Sequence, residues 1–543
     1  MARIDGGHLI AKALKQEGVR YIFTLSGFHI MPIYEGCVDE GIGIIDCRHE
    51  QAAAFAAEGW AKVTGRPGIC VATGGPGVPN TVTPVANASK NSSPLIVIGG
   101  GDPVAEVDMG SAQELSHIEY MKPITKWAKR VVETRRIPEY VAAAFRQAIG
   151  PEPGPAFLEI PLDICHGEVD EADVVYPAQY RTEARAHGDP AIVREAARLL
   201  LKAERPVVVA GSSVWWCQAA QELRELVERA GTPIFTTSLA RGSVPPDHPL
   251  LFSLSRRFAL SQADVVAVVG APLDFRLGYG RPPTFGAEAR VIQIDFRAVD
   301  IGKNRPVEVG ISGDLGAVLR QLSQEMPAPS AEPSKWVRQL REQEDAARQR
   351  DEAFLNSDAV PIHPLRLCRE IRDFLDPNAT VIGDGGDIVS FAARVLRIYY
   401  PGHWLDPGPM GTLGIGTGYA MAAKLARPNE QVIIVNGDGS FGLSAMEYHT
   451  MARHGIQVVS VIGNDGSWGQ VKHGQLTQYG RALGVELGQT ARYERLVESL
   501  GGHGEYVERT EDIRPALERA FASGRPACVN VITDPAVAYA RQR

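Results

Sequence analysis

The chain has 543 residues, of which 44% are hydrophobic and 22% are charged, proportions typical of a globular protein too long for a single core. The formal net charge of −8 and an isoelectric point near 6.0 argue against nucleic acid as the main partner. No apolar run approaches the roughly 18 residues of a membrane-spanning helix, and residues 1–7 carry no apolar signal core. The seven cysteines are scattered without a Cys-x-x-Cys pair, a pattern that favours free thiols and a cytoplasmic location.

The first region, residues 1–175, alternates short strands with helices. An amphipathic helix is predicted over Ile4–Glu17 and an alanine-rich helix over Gln51–Thr64. The predicted strands are Tyr21–Leu25, Gly43–Asp46, Gly68–Thr73 and Pro94–Gly99. Alternation of this kind indicates an α/β domain whose mostly parallel sheet is covered by helices on both faces.

The middle region, residues 190–326, has the pattern of a Rossmann-like sheet. Its predicted strands are Pro206–Gly211, Asp264–Gly270 and Val291–Asp295. No G-x-G-x-x-G sequence follows any of them, so the pattern predicts no dinucleotide site. A polar linker, residues 176–190, precedes this region. It is followed by a low-complexity linker, residues 327–334, and by a charged helix, Lys335–Phe354, with the composition of a solvated face.

The third region, residues 355–543, returns to the α/β pattern. Its predicted strands are Thr380–Gly383, Val432–Val435, Val458–Ile462 and Cys528–Ile532. A helix is predicted over Ser444–His454, between the second and third of these strands. The chain is therefore predicted to fold as three α/β domains.

Two predicted strands of the third region end in small, oxygen-bearing residues. Gly437-Asp438-Gly439-Ser440 follows the first of them, and Asp465 stands 27 residues after Asp438, behind the next strand. In an open α/β sheet, ligands bind at the carboxyl ends of the strands. Two carboxylates and a carbonyl from Ser467 suit Mg²⁺, and the glycines let the backbone approach a phosphate. A Gly-Asp-Gly sequence alone is more often a simple turn, but the second acidic turn favours a metal–diphosphate site.

The two acidic turns resemble the thiamine diphosphate motif of the superfamily that contains acetolactate synthase, benzaldehyde lyase and 2-hydroxyacyl-CoA lyase. Members usually carry asparagine where this chain has Asp465, so the chain places an additional negative charge beside the diphosphate. The resemblance covers nearly the whole chain and implies a pyrimidine-binding first domain, a Rossmann-like middle domain and a diphosphate-binding third domain. It also implies thiamine diphosphate and Mg²⁺, bound between the first domain of one subunit and the third domain of its neighbour. The expected assembly is a homodimer or a dimer of dimers, that is, a homotetramer.

Further site residues follow from the same resemblance. Arg48-His49-Glu50-Gln51 is similar to the catalytic-glutamate segment, which implies that Glu50 hydrogen-bonds the aminopyrimidine ring; an acidic residue is otherwise common at a helix start. Gly408–Gly416 is similar to the segment that bends the cofactor, with Leu413 as the apolar wedge and Gly411 supplying a backbone carbonyl. The other residues expected around the cofactor are Gly385, Gly386, Gly437, Gly439, Ser440, Trp468 and Gly469.

The substrate side of the site is expected mainly in the first domain. His29 and Gln113 resemble the polar pair of benzaldehyde lyase, although a lone histidine is more often structural. Phe28 is expected to narrow the substrate pocket and Gln470 to line it. The expected substrates are small carbonyl compounds.

The reaction type is narrowed by the middle region. Gly270–Gly278 lacks the Arg-Phe-Asp-Asp-Arg type segment of flavin-bound acetolactate synthases, so FAD is not expected. The segment is closer to that of oxalyl-CoA decarboxylases and 2-hydroxyacyl-CoA lyases, which leaves ADP or CoA in the middle domain open. The last residues, 540–543, leave little room for the closing tail of those enzymes.

We predict a non-oxidative carbon–carbon lyase/carboligase that acts on aldehydes and 2-hydroxy carbonyl compounds, with His29, Gln113 and the Ser-Trp-Gly sequence after the metal turn favouring the benzaldehyde lyase type. Two alternatives stay open. One is an acetolactate synthase-like 2-oxo acid decarboxylase/ligase, and the other is a catalytically silent, cofactor-binding relative.

Overall fold

The structure, a computed structural model, describes residues 3–329 and 332–539. These residues form three α/β domains in chain order, each built on its own parallel sheet, which confirms the predicted fold class. Expectations for residues 1–2, for positions 330–331 of the second linker and for the closing tail at 540–543 lie outside the described residues. Within the described ranges, every helix is too short or too polar to cross a membrane.

The first domain contains a six-stranded sheet in the order β3-β2-β4-β5-β7-β6, with all neighbours parallel, and a separate antiparallel pair, β1 and β8. The strands are β1 (Arg3–Asp5), β2 (Tyr21–Thr24), β3 (Gly43–Asp46), β4 (Gly68–Ala72), β5 (Leu95–Gly101), β6 (Trp127–Arg130), β7 (Ala156–Pro161) and β8 (Glu168–Asp170). The helices are α1 (Gly6–Gln16), α2 (Met31–Asp39), α3 (Glu50–Thr64), α4 (Gly77–Asn80), α5 (Val82–Asn91), α6 (His117–Met121), α7 (Ile137–Ile149) and α8 (Leu162–His166). Every residue of β4, β5 and β7 is buried, as expected when helices cover both faces of a parallel sheet.

The first helix is shorter than predicted. Ile4 belongs to strand β1, and α1 begins only at Gly6. Asp5 caps the helix, because its carboxylate accepts a hydrogen bond from the backbone amide of His8 at 2.8 Å. This cap sets where the helix starts, and the periodicity of the apolar residues does not reveal it.

The middle domain has a five-stranded parallel sheet in the order β10-β9-β11-β12-β13. The strands are β9 (Pro206–Ala210), β10 (Ile234–Thr236), β11 (Val265–Val269), β12 (Arg290–Asp295) and β13 (Val309–Ser312). The helices are α9 (Pro190–Lys202), α10 (Ser213–Trp216), α11 (Ala220–Ala230), α12 (Arg256–Gln262) and α13 (Leu315–Gln324). Strands β9, β11 and β12 match the predicted ones, whereas the two edge strands, β10 and β13, were not predicted.

Helix α14 (Lys335–Leu355) follows the second linker, and most of its charged side chains form the predicted solvated face, with Glu344 as the buried exception. Trp336 and Leu340 are buried against the middle domain. Glu344 is fully buried and accepts hydrogen bonds from the backbone amides of Leu254 and Ser255. These contacts fasten the helix to the middle domain.

The third domain has a six-stranded parallel sheet in the order β15-β14-β16-β17-β19-β18. The strands are β14 (Thr380–Asp384), β15 (Trp404–Leu405), β16 (Val432–Gly437), β17 (Val459–Asn464), β18 (His503–Val507) and β19 (Ala527–Ile532). The helices are α15 (Pro364–Phe374), α16 (Asp387–Val395), α17 (Gly416–Ala426), α18 (Asp438–Gly442), α19 (Glu447–Arg453), α20 (Gly469–Tyr479), α21 (Tyr493–Ser499) and α22 (Thr510–Ala522).

The helix predicted over Ser444–His454 is present as α19, which is shorter and spans Glu447–Arg453. The segment after β16 forms two short helices, α18 and α19. Between them the backbone hydrogen bonds run from residue i+3 to residue i, as from the amide of Ser444 to the carbonyl of Phe441. The chain therefore passes through successive tight turns rather than one continuous α-helix.

The first and third domains pack against each other through helices α3 and α17. The backbones come close because each helix has a glycine at the contact. A Cβ atom at Gly418 would stand 2.8 Å from the backbone nitrogen of Ala56, and one at Gly59 would stand 2.6 Å from the Cα atom of Tyr419. Beside them, the backbone amide of Arg48 donates to the carboxylate of Glu447 at 3.0 Å.

Candidate active site

The strand ends of the third domain form a glycine-lined edge. Strands β14 and β16 lie side by side, with Asp384 opposite Asn436. Gly385 follows at φ +155°, and a Cβ atom there would stand 2.9 Å from the backbone nitrogen of Gly437. Glycine is therefore required where the two turns meet.

Asp438 and Asp465 face each other at this edge. Asp438 is only 2% exposed; burial, followed by the Asp465 carboxylate, raises the pKa of Asp438 to about 7. Burial also raises the pKa of Asp465. Atom Oδ2 of Asp438 has no hydrogen-bond partner among the described residues. Two facing carboxyl groups with an orphaned oxygen suit a divalent cation, because carboxylate oxygens are ligands that such a cation prefers.

The residues after Asp465 fix its orientation. Ser467 donates to Oδ1 of Asp465 from its backbone amide at 3.0 Å and from its hydroxyl at 3.2 Å. A Cβ atom at Gly469 would clash with Oδ2 of Asp465. The Trp468 ring packs over Gly439, where a Cβ atom would stand 2.5 Å from it. The structure thus brings these predicted site residues together around the acidic pair.

Three further predicted residues lie along the same edge. The Ser440 hydroxyl is shared between the carbonyl oxygen of Gly437, at 3.0 Å, and that of Asp384, so it ties the two turns together. Gly386 approaches Gln470, whose Cβ lies 3.0 Å from the place that a Gly386 Cβ would occupy.

The loop that carries Gly411 and Leu413 is anchored from both domains. The carboxylate of Asp384 accepts from the backbone amide of Gly414 at 3.0 Å and from that of Gly416 at 2.8 Å. The hydroxyl of Thr412 donates to the side-chain oxygen of Asn87, in the first domain, at 2.9 Å. Gly411 has φ +65° and open space around it, and Leu413 is half-buried in the single chain.

Glu50 begins helix α3 in the first domain and is 6% exposed. Its Oε2 atom accepts a hydrogen bond from the side-chain amide of Asn80 at 2.9 Å. A Cβ atom at Gly77 would stand 3.4 Å from Oε1, which makes no hydrogen bond among the described residues. Glu50 is thus a buried carboxyl group with one oxygen available to a ligand.

His29 lies in a second cluster of the first domain and is 1% exposed. Its Nδ1 atom is 3.0 Å from the hydroxyl of Thr73. Burial, followed by the nearby His117 ring, lowers the pKa of His29. The imidazole is therefore neutral at neutral pH and able to accept a proton.

Gln113 and Phe28 flank His29 from exposed positions. Gln113 has φ +63°, and its Cβ lies 2.5 Å from the place that a Gly75 Cβ would occupy. The ring of Phe28 is 55% exposed and its centroid lies 5.3 Å from that of His29. The structure therefore groups the three predicted substrate residues of the first domain.

The clusters around Glu50 and Asp438 are not joined directly within one chain. No hydrogen bond or ion pair in residues 3–329 and 332–539 links the two side chains. A buried polar network on α3 spans the two domains instead. The ammonium group of Lys62 donates to the carbonyl of Asp406 at 2.9 Å and to the hydroxyl of Tyr419 at 3.0 Å. It also lies 3.4 Å from the carboxylate of Glu58.

Three family models of thiamine pyrophosphate enzymes match the chain. The N-terminal TPP binding domain matches residues 4–120, the central domain matches residues 193–322 and the C-terminal TPP binding domain matches residues 384–531. The chain belongs to the thiamine pyrophosphate enzyme family.

Similar members of the family carry two kinds of name. "Acetolactate synthase large subunit IlvG" of Mycobacterium tuberculosis is 45% identical over 99% of this chain and 97% of its own length. "2-hydroxyacyl-CoA lyase 2" of Homo sapiens is 32% identical over 97% of this chain and 90% of its own length. "2-hydroxyacyl-CoA lyase" of Arabidopsis thaliana is 32% identical over 98% of this chain and 96% of its own length. The resemblance inferred from the two acidic turns is confirmed.

The edge of the third domain fits the diphosphate of thiamine diphosphate and a divalent cation. The orphaned oxygen of Asp438, opposite Asp465, provides anionic oxygen ligands. No group of three or more His, Cys, Asp or Glu side chains suited to a metal occurs in the described ranges. A cation at the acidic pair therefore needs oxygen ligands from a bound diphosphate or water, which is how Mg²⁺ is usually held.

Sequence reasoning missed the residues that hold the family's site in place. Asp384 was within reach, because it stands in a Gly-Asp-Gly-Gly sequence at the end of a predicted strand. Asn80 and Asn87 gave no signal, since they are ordinary helix residues whose partners lie 30 and 325 positions away. Asp387, which had no predicted role, pairs with His473 of α20 at 3.1 Å.

Proposed function

We propose that this protein is a thiamine diphosphate- and Mg²⁺-dependent, non-oxidative carbon–carbon lyase/carboligase acting on aldehydes and 2-hydroxy carbonyl compounds. When bound, thiamine diphosphate supplies a carbon nucleophile that adds to carbonyl groups and stabilises the charge left by carbon–carbon cleavage. The observation that carries the proposal is the acidic pair Asp438 and Asp465, with its orphaned oxygen at a glycine-lined strand edge. Relatives named as lyases and as an acetolactate synthase support the reaction class.

The third domain binds the anionic end of the cofactor in this proposal. Asp438, Asp465 and the backbone carbonyl of Ser467 bind Mg²⁺, which neutralises the two carboxylates and the diphosphate together. The residues assigned to the remainder of the cofactor cavity are Gly385, Gly386, Gly437, Gly439, Ser440, Trp468 and Gly469. Ser440 contributes by fixing the turns, because its hydroxyl is already shared between two carbonyl oxygens.

Glu50 holds a proton at the N1′ atom of the aminopyrimidine ring. Its burial and its single engaged oxygen support this role, because a desolvated carboxyl group shares a proton readily with a ring nitrogen. Leu413 would pack against the rings of the cofactor, and the backbone carbonyl of Gly411 would accept a hydrogen bond from its amino group. The anchoring of their loop to Asp384 and Asn87 supports this assignment.

His29 and Gln113 act on the substrate oxygens. His29 accepts or returns a proton at the hydroxyl of the substrate, a role that suits a neutral buried imidazole. Gln113 donates a hydrogen bond to the carbonyl oxygen from its exposed position beside His29. Phe28 and Gln470 line the pocket and exclude water from the reacting atoms.

Incubation with Mg²⁺, thiamine diphosphate and aldehydes tests the proposal. We expect acyloin products from paired aldehydes, and aldehydes from added 2-hydroxy ketones or 2-hydroxyacyl-CoA. Product from pyruvate alone would move the assignment to an acetolactate synthase-like 2-oxo acid decarboxylase/ligase. A Glu50→Gln variant with unchanged turnover would favour a catalytically silent relative, so that variant belongs in every assay.

The middle domain is proposed to bind ADP or CoA rather than FAD. Support comes from Asp295, a buried carboxylate at the end of β12 that accepts from the hydroxyl of Ser213 at 3.2 Å, where an acidic residue can meet a ribose hydroxyl. Mass spectrometry of nucleotides released from the purified protein tests the ligand of the middle domain; released flavin would contradict the assignment.

The proposed domain boundaries are 1–175, 190–326 and 355–543. The three main sheets, which span residues 21–161, 206–312 and 380–532, fall within them.

The assembly is proposed to be a homodimer or a homotetramer with active sites between subunits, located in the cytoplasm. Large apolar side chains near both clusters are exposed in the single chain: Phe28, Met31, Met410, Leu443, Met446 and Val471. A partner subunit would cover such a surface. All seven cysteines are free and buried, which supports a reducing compartment. Light scattering coupled to gel filtration measures the assembly directly.

A further inference from the structure

A buried histidine outside the expected catalytic set lies beneath the substrate cluster of the first domain. His117 is 0% exposed. Its Nε2 atom accepts a hydrogen bond from the backbone amide of Gly75 at 2.9 Å. Its Nδ1 atom lies 2.8 Å from Oε1 of Glu159, which is 2% exposed.

These two contacts assign the tautomer of His117. A backbone amide can only donate, so Nε2 carries no proton, and the proton on Nδ1 is donated to the Glu159 carboxylate. Glu159 has a further charged neighbour, since the guanidinium of Arg130 lies 3.6 Å from its Oε2 atom. Arg130 in turn donates to the carbonyl of Asp102 at 2.6 Å and to its carboxylate at 3.1 Å. Glu159, which is itself held by Arg130, therefore fixes the orientation of the His117 ring.

The Gly74–Gly75 turn that His117 holds is the spacer between the proposed substrate residues. A Cβ atom at Gly74 would stand 3.3 Å from the His29 ring, and one at Gly75 would stand 2.5 Å from the Cβ of Gln113. A shift of this turn would therefore move His29 and Gln113 relative to each other.

The loop that carries Gln113 has its own brace. The carboxylate of Glu114 accepts from the backbone amides of Gly110 at 2.8 Å and Ser111 at 3.0 Å. Gln113 itself is held at φ +63°, a conformation that non-glycine residues adopt only when their surroundings fix it. These contacts make the loop rigid, and Gln113 of the loop packs directly against the turn at Gly75.

We propose that His117, oriented by Glu159, is a positioning residue that fixes the Gly74–Gly75 turn and so sets the separation of His29 and Gln113. The effect of His117 on turnover rests on the proposed lyase/carboligase function. The contact by which His117 holds the backbone amide of Gly75 does not depend on that function.

Substitutions at the two partners test the proposal. His117→Phe keeps a ring but removes the acceptor, and a displacement of about 1 Å at reacting groups lowers kcat by up to roughly 100-fold. We expect kcat for acyloin formation to fall by about 10- to 100-fold, with half-saturation by thiamine diphosphate changed less than about twofold because the diphosphate site is in the third domain. His117→Gln keeps an acceptor for the Gly75 amide and Glu159→Gln keeps an oxygen for the Nδ1 proton, so both variants are expected to retain most of the wild-type turnover.

A matched control separates positioning from general loss of packing. His403 of the third domain is also buried, at 8% exposed, and its Nδ1 atom lies 3.0 Å from the carbonyl of Asn378. His403→Phe is expected to lower thermal stability without lowering kcat. An equal fall of kcat in both phenylalanine variants would overturn the proposal, because it would show a nonspecific effect.

Hydrogen exchange gives a readout that does not depend on activity. In His117→Phe we expect the amides of residues 73–77 and 108–115 to exchange about tenfold faster, the effect of losing one hydrogen bond of ordinary strength. The amides of strand β5 serve as the internal reference. Unchanged exchange in these segments would overturn the proposal even if turnover fell. If the wild-type protein forms no acyloin from any donor, the proposed function fails, while the exchange data still decide whether His117 positions the turn.

Discussion

Asp465 gives the proposed metal site of this chain one more carboxylate than the usual asparagine would. It faces Asp438 across a buried edge, and Oδ2 of Asp438 has no hydrogen-bond partner among the described residues. Without a cation this arrangement costs free energy through burial and repulsion; with Mg²⁺ the same charges strengthen binding. Aspartate in place of asparagine is thus expected to lower the stability of the metal-free protein and to raise its affinity for Mg²⁺.

Asp465→Asn tests this expectation. We predict that half-saturation by Mg²⁺ rises by roughly tenfold, because one anionic ligand is lost, while the melting temperature of the metal-free protein rises. Trp468 lies beside the pair, so its fluorescence during a Mg²⁺ titration is the measurement. Asp387→Asn is the matched control, because it removes a neighbouring carboxylate that pairs with His473 and not with Asp438. Tighter Mg²⁺ binding by Asp465→Asn would contradict the prediction.

Asp295 in the middle domain makes stability depend on pH. Burial raises its pKa to about 6, above the ordinary value for an unfolded chain. The group therefore contributes most to stability below its unfolded pKa of about 4, and this contribution is lost as the pH rises through about 6. The shift corresponds to roughly 3 kcal/mol over that window.

We predict that Asp295→Asn flattens the dependence of stability on pH. The difference in urea midpoint between the variant and the wild type should grow in favour of the variant between pH 5 and pH 7. Comparison of the two proteins isolates this one group, since other buried carboxyl groups contribute equally to both. A difference that does not change with pH would show that the buried carboxyl group does not ionise in this window.

Helices α3 and α17 determine how the first and third domains sit together. Both carry a proposed active-site element at or near one end: Glu50 begins α3, and the loop with Gly411 and Leu413 leads into α17. Close backbone approach at Gly418 and Gly59 fixes their spacing. The helix pair therefore links a residue of one proposed site to a loop of another.

Gly418→Ala is predicted to destabilise this helix contact. The added methyl group would stand 2.8 Å from the backbone of Ala56, and overpacking of this kind costs about 1–3 kcal/mol. Thermal unfolding by calorimetry measures it. Gly474→Ala in helix α20 is the matched control, because nothing lies within 4 Å of its Cβ position and alanine favours helix. Equal melting temperatures for the two variants would contradict the prediction.

The elements that sequence patterns predicted well are those with a local signal. Apolar runs such as Val432–Val435 became central strands, because a strand buried on both faces needs apolar residues throughout. The Gly-Asp-Gly turn and the alanine-rich helix after Glu50 were likewise visible in the sequence. The helix predicted over Ser444–His454 is present as α19 but begins at Glu447, because the residues before it form tight turns that share the composition of a helix.

The supporting residues of the candidate site had no local signal. Glu447 accepts from the amide of Arg48 399 positions away, and Asn87 reaches Thr412 over 325 positions. Such pairs depend on how two domains dock, which no periodicity encodes. The residues proposed to touch the cofactor could thus be predicted from motifs, and those that hold them in place could not.

At the scale of the whole molecule, the proposed site residues lie in two separate clusters, one in the first domain and one in the third. Glu50 lies in the first domain and Asp438 in the third, with no hydrogen bond or ion pair between them in the described residues. Exposed apolar side chains, such as Phe28 and Leu443, flank both. We therefore propose that one active site takes Glu50 from one subunit and Asp438 from the other, related by the two-fold symmetry of a dimer.

Subunit complementation tests this claim most directly. Chains with Glu50→Gln and chains with Asp438→Asn are co-expressed with different affinity tags, and mixed assemblies are isolated through both tags. Each variant alone is expected to be inactive. A mixed dimer contains one site in which both residues are intact, so we predict about half of the wild-type activity per dimer. Mixed dimers as inactive as the two parents would contradict the account, because they would show that Glu50 and Asp438 of the same chain serve one site.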